Sequence, residues 1–434
     1  LSDHGAEGRV NPAFRLLSRA VAVRPDEVRA LLGSFAYFFC LLAGYYVLRP
    51  LRDEMGIAGG VKNLQWMFTA TFVAMLAAVP AFGALVAKLP RSRFIPIVYH
   101  FFVANIAIFW VLLTVDYERA IVARVFFVWI SVFNLFAVSV FWSFMADLWT
   151  SEQGKRLFGF IAAGGSAGAL AGPAITVLLA KAIGPANLLI IAAIFLELAV
   201  LCATRIFVTP IAATEQRTGA QSPIGGNWLA GFLLLLRSPY LAGIALWVFL
   251  LSLAGTFLYF QQATIVAAAS GDPAERTRIF ATIDLAIGVL QLTVQFVATG
   301  RLIERFGVGR AAAFLPLVFA AGFAVLAWSP VLAVVIAFQA LQRTANFAVS
   351  NPAREVLFTV LDREEKYKAK NVIDIVVFRG ADAVTGWLFS ALRGAGLELA
   401  AISIATVPVC VAWLVLALVL GRSQEARARA KMSR

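Results

Sequence analysis

GRLIERFGVGR, from Gly300 to Arg310, is a basic stretch bounded by glycine and set between two long apolar runs, and the chain carries it twice. Its counterpart is GALVAKLPRSR, Gly83 to Arg93, in which Gly83 matches Gly300, Leu85 matches Leu302, Lys88 matches Arg305 and Arg93 matches Arg310. The spacing is the same throughout. One copy follows the second apolar run and the other follows the eighth. Between them lies one long polar connection, TPIAATEQRTGAQSPIGGNW, Thr209 to Trp228. A repeat at equivalent places on either side of such a connection predicts two halves of the same architecture.

The apolar runs set the fold class. Of 434 residues, 61% are hydrophobic and 14% charged, where a soluble chain carries about a quarter charged. Runs of about 20 apolar residues, long enough to cross the hydrocarbon core, recur roughly at 30–50, 62–87, 94–115, 121–147, 157–181, 187–208, 239–264, 278–301, 311–329, 331–353, 371–393 and 398–420. The expectation is an all-α polytopic membrane protein of twelve transmembrane helices in a six-plus-six bundle. Residues 1–28 read as a basic arm, 29–208 as the first half, 209–238 as the central loop, 239–421 as the second half and 422–434 as a basic tail. No cleaved signal is expected in the arm, which lacks an apolar core.

The net charge of +13 is distributed as topology rather than as a nucleic-acid surface. Basic residues gather in the arm, in KLPRSR, GKR, RLIERFGVGR and KYKAK, and in the tail RARAKMSR. With twelve spans these fall on one side, so both termini are expected in the cytoplasm. Cys40, Cys202 and Cys410 lie in separate spans and read as structural thiols, and His4 and His100 suggest no pair. GGSAGALAG lacks the lysine and hydroxyl residue of a phosphate-binding loop. No cofactor, metal spacing or nucleophile–base set is legible, so catalysis is not expected.

Polar side chains inside the spans mark the candidate site. An ionisable group at mid-bilayer costs roughly 2.5–3.5 kcal/mol on insertion scales, so several in one chain must face water or each other. Asp284, Gln291 and Gln295 share a face of the eighth span. Gln339, Gln342, Arg343, Asn346, Ser350 and Arg354 share one on the tenth, and Asn371, Asp374 and Asp382, with Arg379 nearby, one on the eleventh. In YYVLRPLRDEMG, Tyr45, Arg49 and Arg52 fall at i, i+4 and i+7 with Asp53 beside them, and Pro50 is expected to bend the helix end. Guanidinium groups suit phosphates and carboxylates because the fork donates paired hydrogen bonds and stays charged. Arg49, Arg52, Arg343 and Arg379 are therefore candidate anion ligands. Structural ion pairing remains the alternative for each charge, and for Glu197 pairing and proton coupling both stay open.

The two basic repeats resemble the signature of the major facilitator superfamily, the second with Glu304 at the acidic position. Four further stretches resemble the nucleotide transporters called ATP/ADP translocases. They are YYVLRPLRD (Tyr45 to Asp53), FWSFMADLWTSEQGKRLFGFIAAGG (Phe141 to Gly165), LLRSPYLAGIALWVF (Leu235 to Phe249) and REVLFTVLDREEKYKAKNVIDIVVFRGAD (Arg354 to Asp382). In this resemblance Arg52 and Asp382 stand where the family carries lysine, and Pro50 where it carries aspartate. It implies a facilitator-like bundle that exchanges nucleotides or a related phosphorylated anion by alternating access, in a bacterial inner membrane and as a monomer. The binding set would be Tyr45, Arg49, Arg52, Asp53, Asp284, Gln291, Arg343, Asn346, Asp374, Arg379 and Asp382. Gating would fall to Asp147, Glu152, Lys155, Arg156, Glu304, Arg305 and Arg310, where topology-setting charge is the alternative. A proton-coupled facilitator for another organic anion and a lipid-moving protein are the other functional readings.

Overall fold

A computed structural model describes residues 21–88, 91–207, 234–235, 237–297, 299–362, 365, 369–370 and 372–432. The first half runs α1 (Val28–Ala58), α2 (Leu64–Lys88), α3 (Arg91–Thr114), α4 (Arg119–Leu148), α5 (Ser151–Ile183) and α6 (Pro185–Phe207). The second runs α7 (Pro239–Ala269), α8 (Pro273–Val297), α9 (Thr299–Trp328), α10 (Leu332–Leu357), α11 (Phe378–Gly394) and α12 (Leu399–Met432). Successive helices reverse direction. The start of α1 and the end of α12 therefore share one face of the bundle, here the terminal face, and the other is the far face.

Among the described residues, eleven helices are long and apolar enough to cross a membrane. The eleventh expected span, 371–393, is helical over its described residues yet falls outside that set. Its α-helix has 17 residues and is preceded by a π-helical turn, Val372–Val377. It carries Asp374, Arg379, Asp382 and Arg393 and packs against α2 and α7. The outer surface carries apolar side chains such as Leu178, Ile404 and Trp328, as a lipid-facing surface requires.

Each half has its own core. One buried cluster draws only on residues from Val23 to Ile206, while another spans Leu235 to Leu420 and takes in Leu64, Met67 and Phe127 from the first half. In the first half α1 is central, packed on α4, α5 and α6. Lipid supplies no hydrophobic drive between helices, so close backbone approach has to hold them. Along α5, Gly164, Gly168 and Gly172 provide it: a Cβ at Gly164 would stand 2.5 Å from the Phe35 carbonyl oxygen and one at Gly172 2.6 Å from that of Ala43. The halves meet through α5 on α8, α2 on α11 and α1 on α8.

Two local expectations change. α1 continues through Pro50 to Ala58, because Leu51 and Met55 are buried in the first-half core and hold the last turns despite the lost amide donor. The stretch expected as the loop after the eighth span belongs to α9, which breaks at Gly307 (φ 75°). That left-handed conformation suits glycine.

Candidate functional site

The inner ends of these polar faces enclose a cavity of about 280 Å³ between the halves. α1 lines it with Phe38, Tyr46 and Arg49, α5 with Ser166, α8 with Asp284 and Gln291, and α10 with Arg343 and Phe347. Arg343 donates to Asp284 Oδ1 at 2.8 Å, while Arg49 Nε stands 3.6 Å from Oδ2. The Asp284 side chain is 3% exposed. Two guanidinium groups thus share one carboxylate in a low-dielectric setting, leaving an excess of positive charge facing the cavity. The Arg49 guanidinium also lies 5.5 Å from the centre of the Tyr46 ring, a favourable cation–π distance. Four of the expected binding residues, Arg49, Asp284, Gln291 and Arg343, therefore meet here although they come from three helices.

Tyr45 does not line this cavity. Adjacent residues on a helix point about 100° apart, so Tyr46 faces the cavity while Tyr45 packs toward the first-half core beside Phe133. One turn further along α1, Arg52 pairs with Asp53 at 3.0 Å, and Tyr259 of α7 donates to the same carboxylate at 3.0 Å. The Arg52 guanidinium is stacked 4.0 Å from the centre of the Phe127 ring. Tyr259 was not singled out from sequence, yet Ser252, Thr256 and Tyr259 at i, i+4 and i+7 form a polar stripe that periodicity can find.

At the far face Glu54 pairs with Arg276 of α8 at 2.7 Å, with side-chain exposures of 0% and 11%. Arg276 falls outside the eighth span as read from hydropathy. Lys181 at the end of α5 pairs with Glu275 at 2.6 Å. Both pairs join the halves, with opposite polarity at consecutive residues of α8.

The tenth and eleventh spans split their polar residues. Gln339 and Gln342 are buried, linked to each other and to Gln262 of α7, so they belong to the second-half core. Asn346 begins a π-helical turn, Asn346–Ser350, which shifts the face of the residues after it, and Arg354 pairs with Asp374 at 3.3 Å. Asp374 and Arg379 line a smaller cavity of about 140 Å³ with Phe72, Met75 and Asn134, between α2, α4 and the eleventh span. Asp382 accepts from Ser252 and Thr256 of α7 through Oδ1 and lies 3.3 Å from Arg379 through Oδ2. Glu197 lies 3.3 Å from His100 across α3 and α6.

Of the residues expected to gate, Arg156 pairs with Glu27 at 2.9 Å, inside the first half rather than across the halves. Burial opposes ionisation of the Glu27 carboxyl, but hydrogen bonds from Arg156, the Arg24 amide and Gln153 outweigh it and hold the group below the usual carboxylate range. Asp147, Glu152, Lys155 and Arg310 lie at the exposed surface. The side chains of Glu304 and Arg305 lie outside the described residues, as do those of Gln295 and Asn371.

The bundle is similar to solved transporters of the facilitator type. A bacterial homologue of the iron transporter ferroportin, in an inward-facing state, matches with a TM-score of 0.64 at 13% identity, over 92% of this chain and 98% of that one. The nucleoside transporter NupG matches with a TM-score of 0.58 at 14% identity, over 94% and 98%. In sequence, ADP,ATP carrier protein 1 of Chlamydia muridarum is 23% identical over 439 aligned positions, covering 85% of this chain and 82% of the relative. The pattern of the TLC ATP/ADP transporter family matches residues 120–423, from the start of α4 to the end of the apolar part of α12. With that match over well more than half its length, on a facilitator-like bundle with a cationic cavity between its halves, this chain belongs to the TLC ATP/ADP transporter family.

Proposed function

We propose that this transporter exchanges nucleotides, or a related phosphorylated anion, by alternating access, with a phosphate group held between Arg49 of the first half and Arg343 of the second. The observation that carries the reading is the convergence of these two guanidinium groups from opposite halves on one cavity. Only a site shared by both halves can be handed from one face to the other as they rock. Family membership and the name of the chlamydial relative support the nucleotide class. The ties between halves at the far face, Glu54 with Arg276 and Lys181 with Glu275, together with Trp387 donating to Thr69, support a state that opens toward the terminal face. The basic loops support cytoplasmic termini in a bacterial inner membrane, and a single bundle suffices for the mechanism.

The test is uptake of labelled ATP into proteoliposomes preloaded with ADP, beside empty vesicles and the Arg343→Ala protein. Saturable uptake that requires internal ADP is expected. A charge-assisted hydrogen bond is worth about 1.5–3 kcal/mol, so Arg343→Ala should raise the half-saturating concentration roughly 10- to 150-fold at 1.36 kcal/mol per decade. Absence of exchange by a well-folded wild-type protein, or an unchanged half-saturation in the variant, would sink the reading.

A further inference from the structure

We infer that Asp284 is a built-in stand-in for the substrate's anionic group: it ties the halves together while the site is empty, and so makes movement depend on a bound anion. This rests on the proposed exchange function and adds the reason why such a carrier would exchange rather than leak.

The geometry is asymmetric. Asp284 and Arg343 belong to the same half, and their 2.8 Å hydrogen bond moves with it. Arg49 belongs to the other half, and its contact with Asp284 Oδ2 is a 3.6 Å ion pair beyond hydrogen-bond length. Oδ2 is buried and accepts no hydrogen bond. The tie across the halves is therefore electrostatic, with donor capacity of Arg49 left for another anion in the cavity it faces. A phosphate oxygen entering beside Tyr46 and Gln291 can supply the hydrogen bonds that Asp284 does not.

The two outcomes of rocking then differ. With a phosphate bound, Arg49 exchanges one anion for another and α1 is free to part from α8. With the cavity empty, parting α1 from α8 separates Arg49 from Asp284 at the inner cavity rather than at the far face where Glu54 meets water, and separating a buried pair with nothing in its place is strongly unfavourable. The empty carrier stays shut and the loaded one turns over. The charges on Arg52 and Arg379 do not do this, because Asp53 and Asp382, their partners, sit next to them or on the same helix.

The experiment measures release of labelled ADP from preloaded proteoliposomes, with and without ADP outside, for wild type, Asp284→Asn and Asp284→Glu. For wild type, release is expected to need external ADP. In Asp284→Asn the release without external ADP should rise roughly tenfold or more relative to release with it. Asp284→Glu, which keeps the charge, should restore the dependence. Equal dependence on external ADP in wild type and Asp284→Asn overturns the inference while the exchange function stands. A wild type that releases no ADP under either condition removes the exchange function, and this inference with it. If Asp284→Asn fails to reconstitute, wild type decides the matter through spin labels at positions 62 and 272, on the far faces of the two halves. ADP should add a longer-distance population, and an unchanged distribution with saturating ADP overturns the inference.

Discussion

Replacing Arg276 with alanine should shift the protein toward a far-open state, against the remaining Arg49–Asp284 tie. Glu54 and Arg276 face each other at 2.7 Å with essentially no solvent around the carboxylate. At an effective dielectric of about 20 their attraction is about 6 kcal/mol, largely offset by the desolvation of both groups. Truncating one partner is a different matter, because it strands a buried charge at a cost of about 3–5 kcal/mol. That penalty exists only while the far face is closed, since parting α1 from α8 exposes Glu54 to water. The equilibrium should thus move toward the far-open state by roughly two to three and a half decades at 1.36 kcal/mol per decade. Double spin labels at Lys62 and Asp272, both exposed and on opposite halves, report it as a shift to longer distances. Arg276 also donates to the carbonyls of Ser270 and Gly271, so the same shift could arise from a loosened helix start. Adding Glu54→Gln separates the causes: removing the stranded charge should return the short distance, whereas a lost carbonyl contact would not be repaired. A distance distribution in Arg276→Ala identical to wild type both without and with saturating ADP, in protein that still melts cooperatively, refutes the latch.

Two other perturbations follow from the packing and the terminal face. Gly168→Ala should destabilise the first half by about 1–3 kcal/mol through overpacking, since a Cβ there meets the Phe39 carbonyl and stands 2.9 Å from the Ala43 amide; a raised melting temperature in detergent, as helix propensity alone would give, would contradict the ridge. The Glu27 carboxyl is held below its ordinary value of about 4.3, so its contribution is complete above that pH and is lost as pH falls through the lowered folded-state value. Wild type should therefore lose its thermal advantage over Glu27→Gln as pH is taken progressively below about 4.3, and a difference that stays constant through that descent would show that the Glu27–Arg156 pair does not stabilise the fold through its charge.

The halves and the residues of the cavity were legible for different reasons. The Gly83 and Gly300 repeats announce two equivalent units because helix approach and loop charge are local requirements, written in short stretches. Arg49, Asp284 and Arg343 could be picked out singly, since an ion in an apolar span has to find a partner. What sequence spacing does not carry is which faces of different helices meet. Tyr45 and Tyr46 are equally plausible on composition, and only the packing of α1 on α4, α5 and α6 turns the second toward the cavity. On α10, a regular 3.6-residue period puts Gln339, Arg343 and Arg354 on one face, but Gln339 is drawn to Gln262 and the π turn at Asn346 moves Arg354 round to Asp374. Arg276 escaped because its hydrophilic surroundings, GDPAERTR, resemble a loop, and its value lies in a partner 222 residues away.

Asp382 limits how much positive charge the proposed site can offer. Where the resemblance puts a lysine, this chain has a carboxylate that takes hydrogen bonds from Ser252 and Thr256 and draws in Arg379. The reversal thus removes two cations from the reach of an anion, the lysine and a neutralised Arg379. Arg52 is engaged by Asp53 and covered by Phe127. Arg49 and Arg343 remain, and two guanidinium forks match the oxygens of one phosphate group better than a chain of them. Under the proposed function, one phosphate would be gripped in place of Asp284, the aromatic rings of Tyr46, Phe38 and Phe347 would meet the remainder, and further phosphates would stay hydrated. Such a grip favours exchange, because two counter-substrates that differ by one phosphate present the same gripped group and are held with similar strength. A site that bound every phosphate would hold the more highly charged partner too tightly to release it.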